Sequence, residues 1–162
     1  MGLGKFTTPI NNAPNQGDAS FAYGFGLAAD YRIIAGFSAG IAPQIIYNVA
    51  YKQYPGQLTP PPATSQTDYM LRLAYTFPVL ETVGLYVEAL PGYSSIGQPG
   101  GTAATGFVFA FGGGADMEIG NRIFATLGAG YELGFQSITI ASDKFDTRTR
   151  YVRVNLGAGV RF

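Results

Sequence analysis

Cysteine, histidine and tryptophan are absent from the 162 residues. Without cysteine there are no disulfides and no thiolate metal sites, although the compartment is not fixed by that absence. Without histidine the chain lacks the usual general base and the commonest metal ligand at neutral pH. Charge is also scarce: 10 Lys+Arg and 10 Asp+Glu make up 12% of the chain and cancel, about half the charged share of a soluble domain. A neutral, charge-poor surface offers no footprint for nucleic acid and dissolves poorly in water. No run of 18 apolar residues occurs, so no transmembrane helix is predicted. The opening residues, Met1 to Phe6, supply no apolar signal-peptide segment. The expectation is therefore a cytosolic protein or a mature chain carrying an added initiator Met.

What is present is apolar and small: 47% hydrophobic residues, 14% aromatics and 23 glycines. The length suits one domain spanning residues 1–162. Apolarity is arranged at period two, the repeat of a β-strand with two unlike faces. Near the end, Val152, Val154, Leu156, Ala158, Val160 and Phe162 alternate with Tyr151, Arg153, Asn155, Gly157, Gly159 and Arg161. About eleven such residues are what a tilted strand needs to cross a bilayer. The same split recurs from Ile123 to Gln136, Phe107 to Glu118, Val83 to Gly92, Asp68 to Phe77, Ile33 to Asn48 and Phe21 to Ala28. With a weaker stretch from Gly2 to Ile10, these segments predict about eight strands.

The connections alternate in length. Short turns are predicted at Asp30-Tyr31, Leu80–Thr82 and Ile119–Asn121, and longer loops at about residues 11–18, 52–66, 97–104 and 141–147. Short turns at one end and long loops at the other is the hairpin order of an outer-membrane barrel. Pro43 and Pro91 fall inside strands, where a missing N–H should break the ladder. Each is expected near the far membrane boundary, where strands leave the lipid.

Volume decides which face is inside. The apolar register carries roughly forty large side chains, and an eight-stranded barrel has an interior that side chains only just fill. The large residues must therefore face outward, and only lipid tolerates such a surface. The Gly/Ala/Ser/Thr register, with its few charges, fits inside. Buried charges need partners. Arg72 is expected to pair with Glu88 and Glu132 with Arg153, plugging the lumen. Asp116, Glu118, Asn155, Arg161 and Lys5 are expected as further interior polar groups, with Asp116, Glu118, Arg161 and Lys5 nearer the short-turn end. The plain reading of these ions is that they fill and lock the barrel; the functional reading is a charge-gated pore. Tyr23, Tyr47, Tyr51, Tyr69, Tyr75, Tyr93 and Tyr131 suit interfacial belts. Gly112, Gly113 and Gly114 suit the curvature of a tight barrel. No helix follows them, so they form no phosphate loop.

In this architecture and in its last strand the chain resembles the small outer-membrane barrels typified by the OmpA membrane domain, OmpX, NspA and OmpW. The resemblance implies an all-β, transmembrane, antiparallel up-and-down barrel with a polar interior, short periplasmic turns and longer extracellular loops. It places the protein in the outer membrane of a Gram-negative bacterium as an integral monomer. It implies an assembly signal at Val154, Leu156, Ala158, Val160 and Phe162, read by the barrel-assembly machinery. Outer-membrane lipids and lipopolysaccharide are the other partners it implies.

Enzymes on this kind of barrel use a catalytic histidine, which this chain lacks, so no catalysis and no cofactor are expected. Asp18, Asp68, Asp143 and Asp146 are read as loop or rim carboxylates without the spacing of a calcium loop. Lys52, Lys144, Arg148 and Arg150 stand near loop ends, where lipid phosphates lie. The expected role is structural or surface-interacting. The alternatives are a narrow channel or port for small or hydrophobic solutes and, further off, a soluble lipocalin-like carrier.

Overall fold

The computed structural model describes residues 2–10, 13–18, 22–49, 64–97, 102–120, 122–140 and 143–160. Ten segments pair: β1 Gly2–Ile10, β2 Ala13–Asp18, β3 Tyr23–Gly26, β4 Ala29–Ile34, β5 Phe37–Val49, β6 Thr64–Pro78, β7 Val83–Gly97, β8 Ala104–Glu118, β9 Ile123–Ile140 and β10 Asp143–Val160. They form one antiparallel ladder in the order β2-β1-β10-β9-β8-β7-β6-β5-β3, with β4 also on β5. β2, β3 and β4 follow one another along a single stretch of chain between β1 and β5, so they stand in for one of eight strands. β2 pairs with β1 and β3 pairs with β5. The two ends of the ladder are thus neighbouring segments of one chain, and the sheet curls on itself.

Alternation sets the two faces. On β6, Tyr69, Leu71, Leu73, Tyr75 and Phe77 are exposed, while Asp68, Met70 and Ala74 are buried. Leu85 and Val87 on β7, Phe107 and Phe111 on β8, and Val152, Val154 and Leu156 on β10 continue the exposed apolar surface. A lipocalin-like barrel would turn these side chains inward. Aromatics crowd its two ends: Tyr23 stacks near Tyr47 with ring centroids 5.9 Å apart, and at the short-turn end Tyr75 meets Phe77 edge-on at 4.6 Å. Tyr69 and Tyr93 are exposed in one ladder pair, Tyr131 is half-buried, and Tyr51 lies outside the described residues. Leu127 sits in the middle of this surface, and Leu127→Arg is expected to destabilise the protein in vesicles by about 2–4 kcal/mol. Equilibrium urea unfolding measures it; an unchanged midpoint would mean that the face meets water.

The ladder departs from the sequence reading in four places. The first short turn is at Ala35-Gly36, between the paired Ile34 and Phe37, and not at Asp30-Tyr31. Gly36 takes a φ of 80°, which glycine adopts without strain. A bulge between Arg32 and Ile34 leaves Ile33 and Ile34 both exposed, which breaks the alternation that otherwise marks the turn. Residues 13–18, expected in a loop, form β2. β6 begins at Thr64 and β10 at Asp143, so the loops are shorter than composition suggests. Ladder bonds are made by the backbone, and polar side chains do not stop them.

Pro43 lies fewer residues from its short turn than expected, because that turn is at Ala35-Gly36, whereas Pro91 keeps its expected place nine residues beyond Thr82. Pro43 is only seven residues beyond Gly36, and its carbonyl accepts from Leu27 N–H at 3.0 Å. Pro91 pairs with Phe109 on one side. On the other, the β6–β7 ladder skips from Met70↔Gly92 to Leu73↔Ala89, where the missing proline N–H interrupts it. Lys5 also departs from expectation. Its ladder partners are Arg150 and Asp18, in the long-loop half of the wall, and Gly2 stands opposite Arg153, part-way up β10.

Candidate functional site: an occluded lumen

The inward register stacks three storeys. β6 shows the order within seven residues: Gln66 and Asp68 toward the long loops, then Met70, then Arg72 toward the short turns.

The upper storey holds two carboxylates, Asp68 and Glu132, each with no exposed surface. Gln44 on β5 donates to Asp68 Oδ2 at 2.6 Å and to Glu132 Oε2 at 2.9 Å. Gln66 donates to Asp68 Oδ1 and to Glu132 Oε1, both at 2.9 Å. Tyr151 on β10 donates its hydroxyl to Gln66 Oε1 at 2.6 Å. β5, β6, β9 and β10 are not all neighbours in the sheet, so these bonds cross the barrel. Arg153 Nη1 lies 3.5 Å from Glu132 Oε2, an ion pair without hydrogen-bond alignment. Above them Gln136 donates to Ser94 Oγ at 3.1 Å and to Thr149 Oγ1 at 3.4 Å.

The middle storey is apolar, built from Ala42, Met70, Leu90, Val108 and Ala110. In the lower storey Arg72 Nε donates to Glu88 Oε2 at 2.6 Å, and its Nη1 pairs with Asp30. The same guanidinium lies 5.4 Å from the ring centroid of Tyr86, whose hydroxyl accepts from Thr126 Oγ1 at 3.4 Å. The Tyr86 ring needs glycine beneath it: a Cβ on Gly128 would stand 2.3 Å from the hydroxyl oxygen. Each ionic storey therefore holds two carboxylates and one arginine, separated by an apolar layer. Buried ions at this density persist only with charge-assisted hydrogen bonds.

Sequence reading brings together Arg72 with Glu88 and Glu132 with Arg153, and the structure places both pairs on adjacent strands. Of the remaining expected groups, Asp116 and Asn155 are half-buried on the inward register, Glu118 is exposed at the rim, and Arg161 and Phe162 lie outside the described residues. Val154, Leu156, Ala158 and Val160 are exposed on the outward register of β10. Asp68 is a correction: it is a lumen carboxylate and not a rim one, because β6 begins earlier than its polar sequence suggests. Gln66, expected in a loop, is a lumen residue for the same reason. Asp30, expected in a turn, is the second carboxylate on Arg72. The available signal was period two itself: Gln66 and Asp68 continue the inward register of Met70 and Arg72. Among the described residues no group of three or more His, Cys, Asp or Glu is placed to hold a metal ion.

A curled antiparallel sheet with apolar outside and ionic inside defines an integral β-barrel membrane protein, which crosses the bilayer by strands alone. The chain belongs to the outer membrane protein beta-barrel domain family, whose model matches residues 1–162. It is therefore a bacterial outer-membrane protein. Among solved structures it is similar to Neisserial surface protein A, with 15% identity and a TM-score of 0.58 over 99% of this chain and 94% of that one. It is also similar to Ail, the attachment invasion locus protein of Yersinia pestis, solved alone and with the heparin analogue sucrose octasulfate. Those two matches have 16% identity, TM-scores of 0.45 and 0.42, and cover 99% of this chain and 94% of those. No curated protein matches the sequence.

Proposed function

We propose that this protein is a non-conducting, non-catalytic barrel with a structural or surface-interaction role, its lumen held shut by the transverse network. The carrying observation is that Gln44 on β5 and Gln66 on β6 both donate to Glu132 on β9, across the barrel interior. An aqueous channel would leave such groups to water. Here they bind one another, with Met70, Leu90 and Val108 packed below them. With the interior filled, the surface left for interaction is the long-loop end and the outer wall, where outer-membrane lipid and lipopolysaccharide are the partners at hand. The assembly machinery would read the outward residues Val154 to Val160 during insertion.

Planar-bilayer recording tests the closed lumen. The wild-type barrel is expected to show no discrete openings, and Arg72→Ala alone is expected to remain silent because the apolar storey still blocks the path. Regular openings in the wild type, altered by Arg72→Ala, would establish the narrow-channel reading instead.

A further inference from the structure

The outward register of β10 runs Val160, Ala158, Leu156, Val154, Val152 and then turns abruptly to Arg150 and Arg148, both exposed. Height explains what they meet. Arg150 is ten residues above Val160, on a strand that ends at the short-turn end. At about 3.3 Å per residue and a tilt of about 40°, that is about 25 Å, the full depth of the apolar band. The other strands mark the same level with aromatics. Tyr93 is ten residues above Val83, and Phe107 is eleven residues from Glu118 at the short-turn end of β8. In one ladder row, exposed Tyr69, Tyr93, Phe107 and Phe135 stand side by side, and the next member of that row is Arg148. Where its neighbours place a ring at the headgroup boundary, β10 places guanidinium.

We infer that Arg148 and Arg150 form a binding site for the phosphate group of an outer-leaflet anionic glycolipid, whose acyl chains lie against Val152, Val154 and Leu156. Two arginines two residues apart on one face stand about 7 Å from each other. Both can therefore reach one phosphate group, and a guanidinium binds phosphate through paired N–H donors. Among the described residues neither arginine is in an ion pair. The nearest carboxylate on their register, Asp146, is 3.9 Å from Lys144 Nζ. In the ladder Arg150 stands opposite Lys5, with Asp18 beyond it. The two-part surface, basic above and apolar below, fits a lipid and not a soluble anion. This inference deepens the proposed surface role, naming one partner for it.

The test uses the full chain, folded in detergent, and native mass spectrometry with three probes: diphosphorylated lipid A, the same lipid with both phosphates removed, and inorganic phosphate. The wild type is expected to prefer the phosphorylated lipid by about tenfold. The double variant Arg148→Gln/Arg150→Gln is expected to lose that preference. Arg122→Gln, at the short-turn end, should retain it. Both variants should keep the heat-modifiable gel shift of a folded barrel. Equal binding of the two lipids, or an unchanged preference in the double variant, overturns the site. Complete displacement of the lipid by millimolar inorganic phosphate overturns it too, because the site would then recognise a free anion. Channel activity would defeat the closed-lumen reading and leave this assay untouched.

Discussion

Glu132→Leu is expected to lower the stability of the folded barrel by about 3–5 kcal/mol, the cost of breaking a buried ion pair from one side. The substitution removes one acceptor of each glutamine amide and the carboxylate 3.5 Å from Arg153, whose side chain is 13% exposed. Arg153 then loses its ion-pair partner, and Asp68 is left as the carboxylate of its layer. Urea unfolding in lipid vesicles, followed by tyrosine fluorescence, gives the midpoint. The double variant Glu132→Leu/Arg153→Met should regain part of the loss, since the arginine leaves with its partner while Asp68 keeps its glutamine donors. A single variant within about 1 kcal/mol of wild type would show that the transverse network fills the lumen without holding it.

Gly114→Val should be nearly as damaging, by about 3 kcal/mol, from overpacking at the β8–β9 seam. A Cβ at this position would stand 2.2 Å from the Leu127 carbonyl oxygen, 2.7 Å from Gly128 Cα and 2.8 Å from the Tyr86 hydroxyl oxygen. Two of these atoms are backbone, so the strands themselves must part. The companion change Tyr86→Phe removes the third contact and should recover only a small part of the loss. Full recovery would place the crowding in the ring and not in the ladder. The fraction of the compact band on unboiled gels, scored after refolding, reads the effect directly.

Much of this architecture is legible along the chain because a membrane barrel repeats one rule at every strand. Leu71, Leu73 and Tyr75 alternate with Arg72 and Ala74, and no tertiary knowledge is needed to see two unlike faces. The volume of the apolar set then excludes a soluble core. Arg72 and Glu88 could be paired from sequence because they share a register on hairpin neighbours, where ladder geometry is nearly determined by the turn. Gln44 and Glu132 could not. They are 88 residues apart and meet across the lumen, and no local pattern encodes a contact through the barrel axis. Local signals failed also where composition and pairing diverge. The polar stretch Ser65-Gln66 looks like loop, yet it ladders with β7 because backbone bonding ignores what the side chains prefer. At Arg32–Ile34 a bulge shifts the phase, and the turn moves with it.

That the chain crosses a membrane as strands, which face meets lipid, and that charges within the wall must be partnered are all written in the order of residues. All three follow from period two and side-chain volume, which are properties of neighbouring residues. The folded barrel alone shows how the interior closes: two carboxylates and one arginine in each ionic layer, an apolar layer between them, and glutamine amides reaching from wall to wall. It also shows that Arg148 and Arg150 stand at the height where Tyr93 and Phe107 mark the lipid boundary. Those arrangements depend on the curl and stagger of the sheet, which bring together residues that the chain keeps far apart.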